Sequence, residues 1–205
     1  MHVVKEELAA MDAQSLRCAL ELADARVDVM GYACLVAIMA MGPGYHRKSQ
    51  EKLSAAAREA DCTSPVITSA GALITTLKEL GLSRVAVLAP YMKPLTQTVI
   101  DYIEAEDIEV CASRALEISD NLAVGRRLPE QALEEASRID LTEAQALVLS
   151  ACVQMPAAAA IDAAEQKFGL PVVTASSCTV RQMLKSLDLT PVVAGYGAAL
   201  SSHNA

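Results

Sequence analysis

Short apolar runs that alternate with helical patterns constrain the fold of this chain more than any other feature of its sequence. Runs typical of buried strands occur at about 27–34, 65–68, 84–90, 108–112, 145–152 and 171–175. Helix-type periodicity covers the segments Lys5–Ala25, Tyr45–Ala60, Ala70–Leu80, Leu95–Glu106, Pro129–Arg138, Ala157–Phe168 and Cys178–Leu187. Strands that alternate with helices predict an α/β fold of parallel βαβ units, with helices on both faces of the sheet.

Two segments of the chain resemble each other. PVITSAGALITTLKELGL starts at Pro65, and PVVTASSCTVRQMLKSLDL starts at Pro171. With one inserted residue, their Pro, Val, Thr and apolar positions coincide, and Lys78 aligns with Lys185. Each segment follows a predicted strand that ends in a cysteine. The match predicts an internal duplication, and hence two pseudo-symmetric halves that each hold a parallel sheet flanked by helices.

The duplication also predicts how the chain is divided. We expect an N-terminal half at 1–83, which carries Cys34, and a C-terminal α/β half at 84–205, which carries Cys152. The segment that closes the pseudo-twofold arrangement is expected to be exchanged at 171–205.

The two halves reach their cysteines over different lengths of chain. The second half has two predicted strands and two helices before its cysteine strand, whereas the residues before Cys34 provide one helix and a short strand at His2–Val4. By its own symmetry, the first half is expected to be truncated at its N-terminus.

Composition restricts the partners and the location of the protein. The net charge of −8 and the lack of a basic stripe disfavour a nucleic-acid partner. The uncharged run from Asp28 to His46 is broken by Gly31, Gly42 and Pro43, so it predicts a buried strand and a loop rather than a membrane span. Six cysteines without a secretory leader pattern indicate the reducing cytoplasm, and no Cys-x-x-Cys motif or histidine cluster predicts a metal site.

Cys34 and Cys152 stand in matching contexts, GYAC and LSAC, each at the predicted carboxyl end of a strand. Ligands of parallel α/β sheets bind beyond such strand ends, so symmetry predicts the two thiols on opposite sides of one cleft. A thiolate nucleophile and a thiol proton donor would form a cofactor-free pair. The alternative, for these as for any free cysteine, is inert core packing.

The segments GYACLVAIMAMG, ITSAGAL, APYMKPLT, ALEISDNLAVGR and VLSACVQM resemble, in order, those of the maleate cis–trans isomerases of the aspartate/glutamate racemase superfamily. The resemblance extends from about Lys5 to Leu200. It implies a cytoplasmic enzyme that converts maleate to fumarate in the breakdown of nicotinate-type ring compounds, without metal or organic cofactor. It also implies a homodimer or larger homo-oligomer.

The resemblance implies a role for each site residue. Cys34 matches the nucleophile that adds to the alkene to give a succinyl-cysteine adduct, and Cys152 matches the cysteine that handles the proton. Tyr91 and Asn121 match residues that hold the substrate carboxylates. Backbone N–H groups would complete the anion pockets, and those expected to do so belong to Leu35, Val36 and Val153. From the residues alone, Tyr91 could instead cap a loop and Asn121 could cap a helix.

Two other functions stay open at this point. A racemase for aspartate or glutamate would need a carboxylate near the cysteines to bind the substrate ammonium group, and GYACLVAIM and SACVQMPAAA contain none. The resemblance also implies an opening strand and a carboxylate-binding loop, and we expect this sequence to lack both. A catalytically impaired binding or assembly protein is therefore the second alternative.

Overall fold

A computed structural model describes residues 5–204, so the predicted strand at His2–Val4 lies outside the described residues. The helices are α1 (Lys5–Asp24), α2 (Leu35–Met39), α3 (Tyr45–Glu59), α4 (Ser69–Glu79), α5 (Lys93–Glu104), α6 (Asn121–Gly125), α7 (Pro129–Ala136), α8 (Ile161–Phe168) and α9 (Ala175–Ser186). The strands are β1 (Met30–Tyr32), β2 (Val66–Thr68), β3 (Arg84–Ala89), β4 (Glu109–Ala115), β5 (Ala146–Ser150) and β6 (Val172–Thr174).

The described strands form two sheets, and every pairing in them is parallel. One sheet pairs β1 with β2, and the other has the order β4-β3-β5-β6. The predicted α/β class with parallel sheets and flanking helices is confirmed. Strand β5 is buried along its whole length, which explains why its sequence is a continuous apolar run rather than an alternating one. No helix among residues 5–204 is both long and apolar enough to cross a membrane.

The two segments that resemble each other in sequence adopt the same βα unit. In β2–α4, the hydroxyl of Thr68 accepts the N–H of Gly71, and in β6–α9 the hydroxyl of Thr174 accepts the N–H of Ser177. Each threonine therefore caps the helix that follows its strand. These helices, α4 and α9, pack against each other.

The cysteine-bearing strands are also attached to these units in the same way. Met30 at the start of β1 donates its N–H to the carbonyl of Pro65, and Leu147 in β5 donates to the carbonyl of Pro171, both at 2.9 Å. The register then places Tyr32 opposite Thr68, and Ser150 opposite Thr174. Since both strands end at equivalent positions, the cysteines two residues further on are structurally equivalent.

Helices α4 and α9 are joined by charge as well as by packing. Arg181 on α9 is only 4% exposed and donates to Glu79 on α4 and to the carbonyls of Ala199 and Asn204. Lys185 contacts the same carboxylate at 2.5 Å. Helix α9, which follows β6 of the larger sheet, also packs against β1 and β2. This contact sets the relative position of the two sheets.

Two short helices lie outside the segments with helix-type periodicity. The chain after Cys34 was expected to be a loop, but it forms α2, and all of its residues from Leu35 to Met39 are buried. Helix α6 starts after Asp120, whose carboxylate accepts the N–H of Leu122 at 3.0 Å. Helices of this length are marginal on propensity alone and form because the surrounding structure buries or caps them, so a periodicity pattern does not reveal them.

A second ionic cluster joins α3, α4 and α5. Glu106, just beyond α5, is 6% exposed and receives both guanidinium nitrogens of Arg47 at 2.7 Å, and Lys78 lies 3.3 Å away. The hydrogen bonds from Arg47, the largest influence, lower the pKa of Glu106 from 4.5 to about 2. Because the folded pKa lies below the ordinary value, this carboxylate stabilises the fold above pH 4.5, and the stabilisation is lost as the pH falls toward 2.

We predict that Glu106→Gln lowers the free energy of unfolding at pH 7 by about 1–3 kcal/mol, because it removes a buried charged acceptor from two cations. The difference from the native chain should shrink between pH 4.5 and 2. Urea unfolding across this pH range measures it, with Glu104→Gln on the exposed face of α5 as the matched control. A constant difference down to pH 2 would contradict the assignment.

Candidate active site

Cys34 lies between β1 and α2 and is the N-cap residue of that helix, with extended backbone angles (φ −131°, ψ 90°). Its thiol is half-buried. The N–H groups of Ala37 and Val36 in the first turn of α2 lie near the sulfur and favour the thiolate. Burial is the larger influence, however, and the pKa of Cys34 is raised above its ordinary value.

Cys152 occupies the equivalent place after β5 and is 7% exposed. The hydroxyl of Ser150 accepts the N–H of Cys152 at 3.3 Å and donates to its carbonyl at 2.6 Å. The backbone of this residue is thus held by the last residue of the strand. A fixed backbone limits the positions that the thiol can take.

Both thiols line one cavity of about 240 Å³. The structure brings all of the predicted site residues together around it, and these are Cys34, Leu35, Val36, Tyr91, Asn121, Cys152 and Val153. They come from positions far apart in the chain, at the carboxyl ends of β1, β3 and β5 and from the start of α6. A second backbone N–H near the Cys34 sulfur, besides that of Val36, belongs to Ala37. This residue was not identified from the sequence.

Tyr91 is 6% exposed and follows the end of β3. Its hydroxyl donates to the carbonyl of Ala151 at 3.2 Å, in the loop that carries Cys152. Burial, followed by the neighbouring Cys152, raises the pKa of this phenol well above its ordinary value, so it is a neutral hydrogen-bond donor. The hydroxyl therefore holds the loop that carries Cys152, which agrees with the loop-capping role considered from sequence. Its contact with a substrate carboxylate stays a prediction.

Asn121 is the first residue of α6, and the helix cap is its neighbour Asp120. The capping role considered for Asn121 from sequence is therefore wrong. Its backbone carbonyl accepts the side-chain amide of Gln154 at 2.9 Å. That amide also lies against Gly125, where an added Cβ would approach it to 3.4 Å. Gln154, which lines the cavity too, thus fastens α6 to the Cys152 loop.

A carboxylate that the sequence analysis missed lies near Cys34. Asp12, on α1, accepts the hydroxyl of Tyr45 at 2.6 Å, and its charge contributes to the raised pKa of Cys34. From the two cysteine segments alone, we expected no carboxylate near the thiols. This expectation is wrong, because α1 brings Asp12 close to Cys34. The available sequence clue was spacing: Asp12 continues the i, i+4 stripe of α1 that begins at the buried Leu8.

The remaining wall of the cavity is also formed by α1. Glu7, Leu8 and Met11 line it on this side. Leu8 is 5% exposed and belongs to the main core, so it anchors the helix over the cavity. Among the residues that the structure describes, no group of three or more potential metal ligands lies together.

The fold, with a thiol beyond each of two equivalent parallel strands, defines an enzyme of the racemase-like superfamily. The family model described as arylmalonate decarboxylase matches residues 9–200 of the chain.

Within this superfamily, the chain belongs to the maleate isomerases. It is 56% identical over 199 residues to maleate isomerase from Pseudomonas putida, and the match covers 97% of this chain and 80% of that protein. The crystal structure of a cysteine-to-alanine variant of the maleate isomerase from Pseudomonas putida S16 with maleate superposes with a TM-score of 0.96 at 55% identity, covering 98% of this chain and 80% of the other.

A third relative is informative because of the adduct that it contains. It is the maleate cis–trans isomerase of Nocardia farcinica, solved as a cysteine-to-serine variant with a covalently bound succinylcysteine intermediate. This structure has a TM-score of 0.94 and 44% identity, and the match covers 98% of this chain and 82% of the other. These relatives support neither the racemase nor the impaired binding protein considered from sequence.

We predict that Asp12→Asn lowers the pKa of Cys34, because it removes a nearby negative charge that opposes the thiolate. Alkylation of Cys34 by iodoacetamide, followed by mass spectrometry across a pH series, should then be faster at neutral pH than in the native chain. Tyr45→Phe removes the hydrogen bond but keeps the charge, and Glu6→Gln removes an exposed charge from the same helix. Equal alkylation profiles for Asp12→Asn and the native chain would contradict this role.

We predict that Gln154→Leu loosens α6, because the carbonyl of Asn121 loses its side-chain donor. A hydrogen bond worth about 1 kcal/mol corresponds to about fivefold faster hydrogen exchange at the amides of this helix. Exchange mass spectrometry measures the change. Gln182→Leu removes a side-chain amide that bonds elsewhere, at Thr76, and should leave α6 unchanged. Unaltered exchange in Gln154→Leu would show that the contact does not hold the helix.

Proposed function

We propose that this chain catalyses the cofactor-free cis–trans isomerisation of maleate to fumarate in the cavity between Cys34 and Cys152. The observation that carries the proposal is that two thiols, beyond structurally equivalent strands, line one cavity together with Tyr91 and Asn121. The relatives that hold maleate and a succinylcysteine adduct support it from outside this chain.

The proposed reaction begins with one proton shared by the two thiols. In the reactive state, Cys34 is the thiolate and Cys152 is the thiol. The Cys34 sulfur forms a C–S bond to one alkene carbon, and the electron pair of the double bond moves to the other carbon. That carbon takes the proton of Cys152, which gives a succinyl-cysteine adduct and a Cys152 thiolate.

The adduct has a single bond where maleate has a double bond, so its two halves can rotate. After rotation, the Cys152 thiolate removes a proton from the same carbon, the double bond forms again in the trans geometry, and the C–S bond breaks. The Cys34 thiolate is regenerated, so atoms and charge balance over the cycle. Burial raises the pKa of Cys34 and so lowers the share of thiolate at neutral pH, while the thiolate that does form is the stronger nucleophile.

The carboxylates of the substrate need donors because the cavity is largely buried. We assign this role to the Tyr91 hydroxyl, the Asn121 side-chain amide and the N–H groups of Leu35, Val36 and Val153. The raised pKa of Tyr91 keeps its phenol proton in place at neutral pH, and to reach a substrate carboxylate that proton would leave the carbonyl of Ala151. The backbone N–H donors are fixed by the fold and stabilise charge without reorganising during the reaction.

The setting of the reaction is part of the same proposal. We assign the protein to the cytoplasm, since all six cysteines are free, as in a reducing compartment. The family resemblance assigns the reaction to the breakdown of nicotinate-type ring compounds by way of maleate. We also propose a homodimer or larger homo-oligomer, because α1 exposes Met11, Leu16 and Leu22.

Proton NMR of the purified protein with maleate tests the proposed reaction. Fumarate should appear with the native chain and with Cys18→Ala, which removes an exposed thiol outside the cavity. We expect no fumarate with Cys34→Ala, and a loss of about 10²–10⁴-fold with Cys152→Ala, as for removal of a proton-transfer group. Mass spectrometry should detect a maleate-sized addition on Cys34 in Cys152→Ala. Fumarate formation by Cys34→Ala, or none by the native chain, would refute the proposal.

A further inference from the structure

A second, polar cavity lies at the open edge of the larger sheet, beside the carboxyl end of β4. Its volume is about 410 Å³. It shares none of its lining residues with the cavity of the two thiols. Three cationic and two anionic side chains line it, and these are Lys93, Arg114, Arg127, Glu117 and Glu135.

The charges in this cavity do not cancel. Arg114 pairs with Glu135 at 2.6 Å, and Lys93 lies 3.5 Å from Glu117. Arg127 has no carboxylate within 4.0 Å among residues 5–204, so one positive charge is left over. Its Nε atom is also buried, with no hydrogen-bond partner in that part of the chain. The buried Nε–H is shielded from the cavity, and the unneutralised charge of the guanidinium favours an anionic ligand there.

The walls of this cavity are fixed by backbone hydrogen bonds. The N–H of Glu117 donates to the carbonyl of Tyr91 at 3.1 Å, and the N–H of Ile118 donates to the carbonyl of Pro90 at 3.0 Å. Arg127 itself follows the last turn of α6, and its N–H donates to the carbonyl of Val124. A site between rigid elements loses little conformational entropy when it binds a ligand.

We propose that this second cavity binds a small oxyanion of the size and charge of phosphate. The terminal N–H groups of Arg127 would donate to two oxygens of the anion, as a guanidinium does when it binds phosphate in a bidentate way. Lys93 lies at the mouth, 77% exposed, and adds a second cation when the anion draws it from Glu117. The bound anion would occupy the space between β4 and Arg127.

Isothermal titration calorimetry with inorganic phosphate, at constant ionic strength maintained with chloride, tests this site. The native chain should bind one phosphate, and Arg127→Gln should bind it at least about tenfold more weakly, as expected from the loss of a charge-assisted hydrogen bond. Arg126→Gln is the matched control: it removes the neighbouring arginine, which is exposed and does not line the cavity. It should bind phosphate as the native chain does.

The outcomes separate this cavity from any other phosphate site. The proposal would be overturned if the native chain did not bind phosphate. It would also be overturned if Arg127→Gln bound phosphate as tightly as the native chain, because the phosphate would then lie elsewhere. If Arg127→Gln fails to fold, Lys93→Glu serves in its place, with Lys48→Glu as the control at an exposed position on α3. Phosphate binding should weaken in Lys93→Glu and not in Lys48→Glu. Equal weakening in the two variants would overturn the proposal, because the change in net charge alone would then explain it.

Discussion

The contact between α4 and α9 is the constraint on which the rest of the molecule depends. Each helix follows the strand that pairs with a cysteine-bearing strand, so the position of one helix against the other also sets the position of Cys34 relative to Cys152. Arg181 makes this contact specific, because a buried guanidinium must satisfy its donors, and here they reach a carboxylate on α4 and two backbone carbonyls. A cavity shared by two thiols is the consequence.

The regular elements could be predicted from the sequence because they repeat a pattern. The duplicated Pro-Val-x-Thr segments gave equivalent βα units, and the threonine in each is the helix cap. The cysteines, Tyr91 and Asn121 could be selected because a family resemblance added to strand-end positions that the pattern already predicted. All of them lie around one cavity.

What could not be predicted depends on contacts between distant residues. Helix α2 has no capping side chain, and it forms because its apolar residues are buried. Asp12 approaches Cys34 from a helix more than twenty positions earlier, and Gln154 reaches the carbonyl of Asn121 across 33 positions. Spacing places Asp12 on the buried stripe of α1 but does not reveal which thiol it approaches, and the contact of Gln154 leaves no trace in local spacing. A carboxylate in an apolar stripe is locally unfavourable, and such exceptions to local patterns are expected at functional sites.

The aromatic composition of the chain has a practical consequence for the thiol cavity. The sequence has no Trp and only five Tyr residues, and Tyr91 is buried directly beside Cys152. Tyr32 has a buried hydroxyl as well, and it lies close enough to Cys34 for that thiol to contribute, after burial and Asp12, to its raised pKa. Near-ultraviolet spectra of this protein contain no indole band to obscure them. The Tyr91 phenol in the cavity wall and the Tyr32 phenol near Cys34 are therefore a built-in optical probe, able to report the charge and occupancy of the site without an added label.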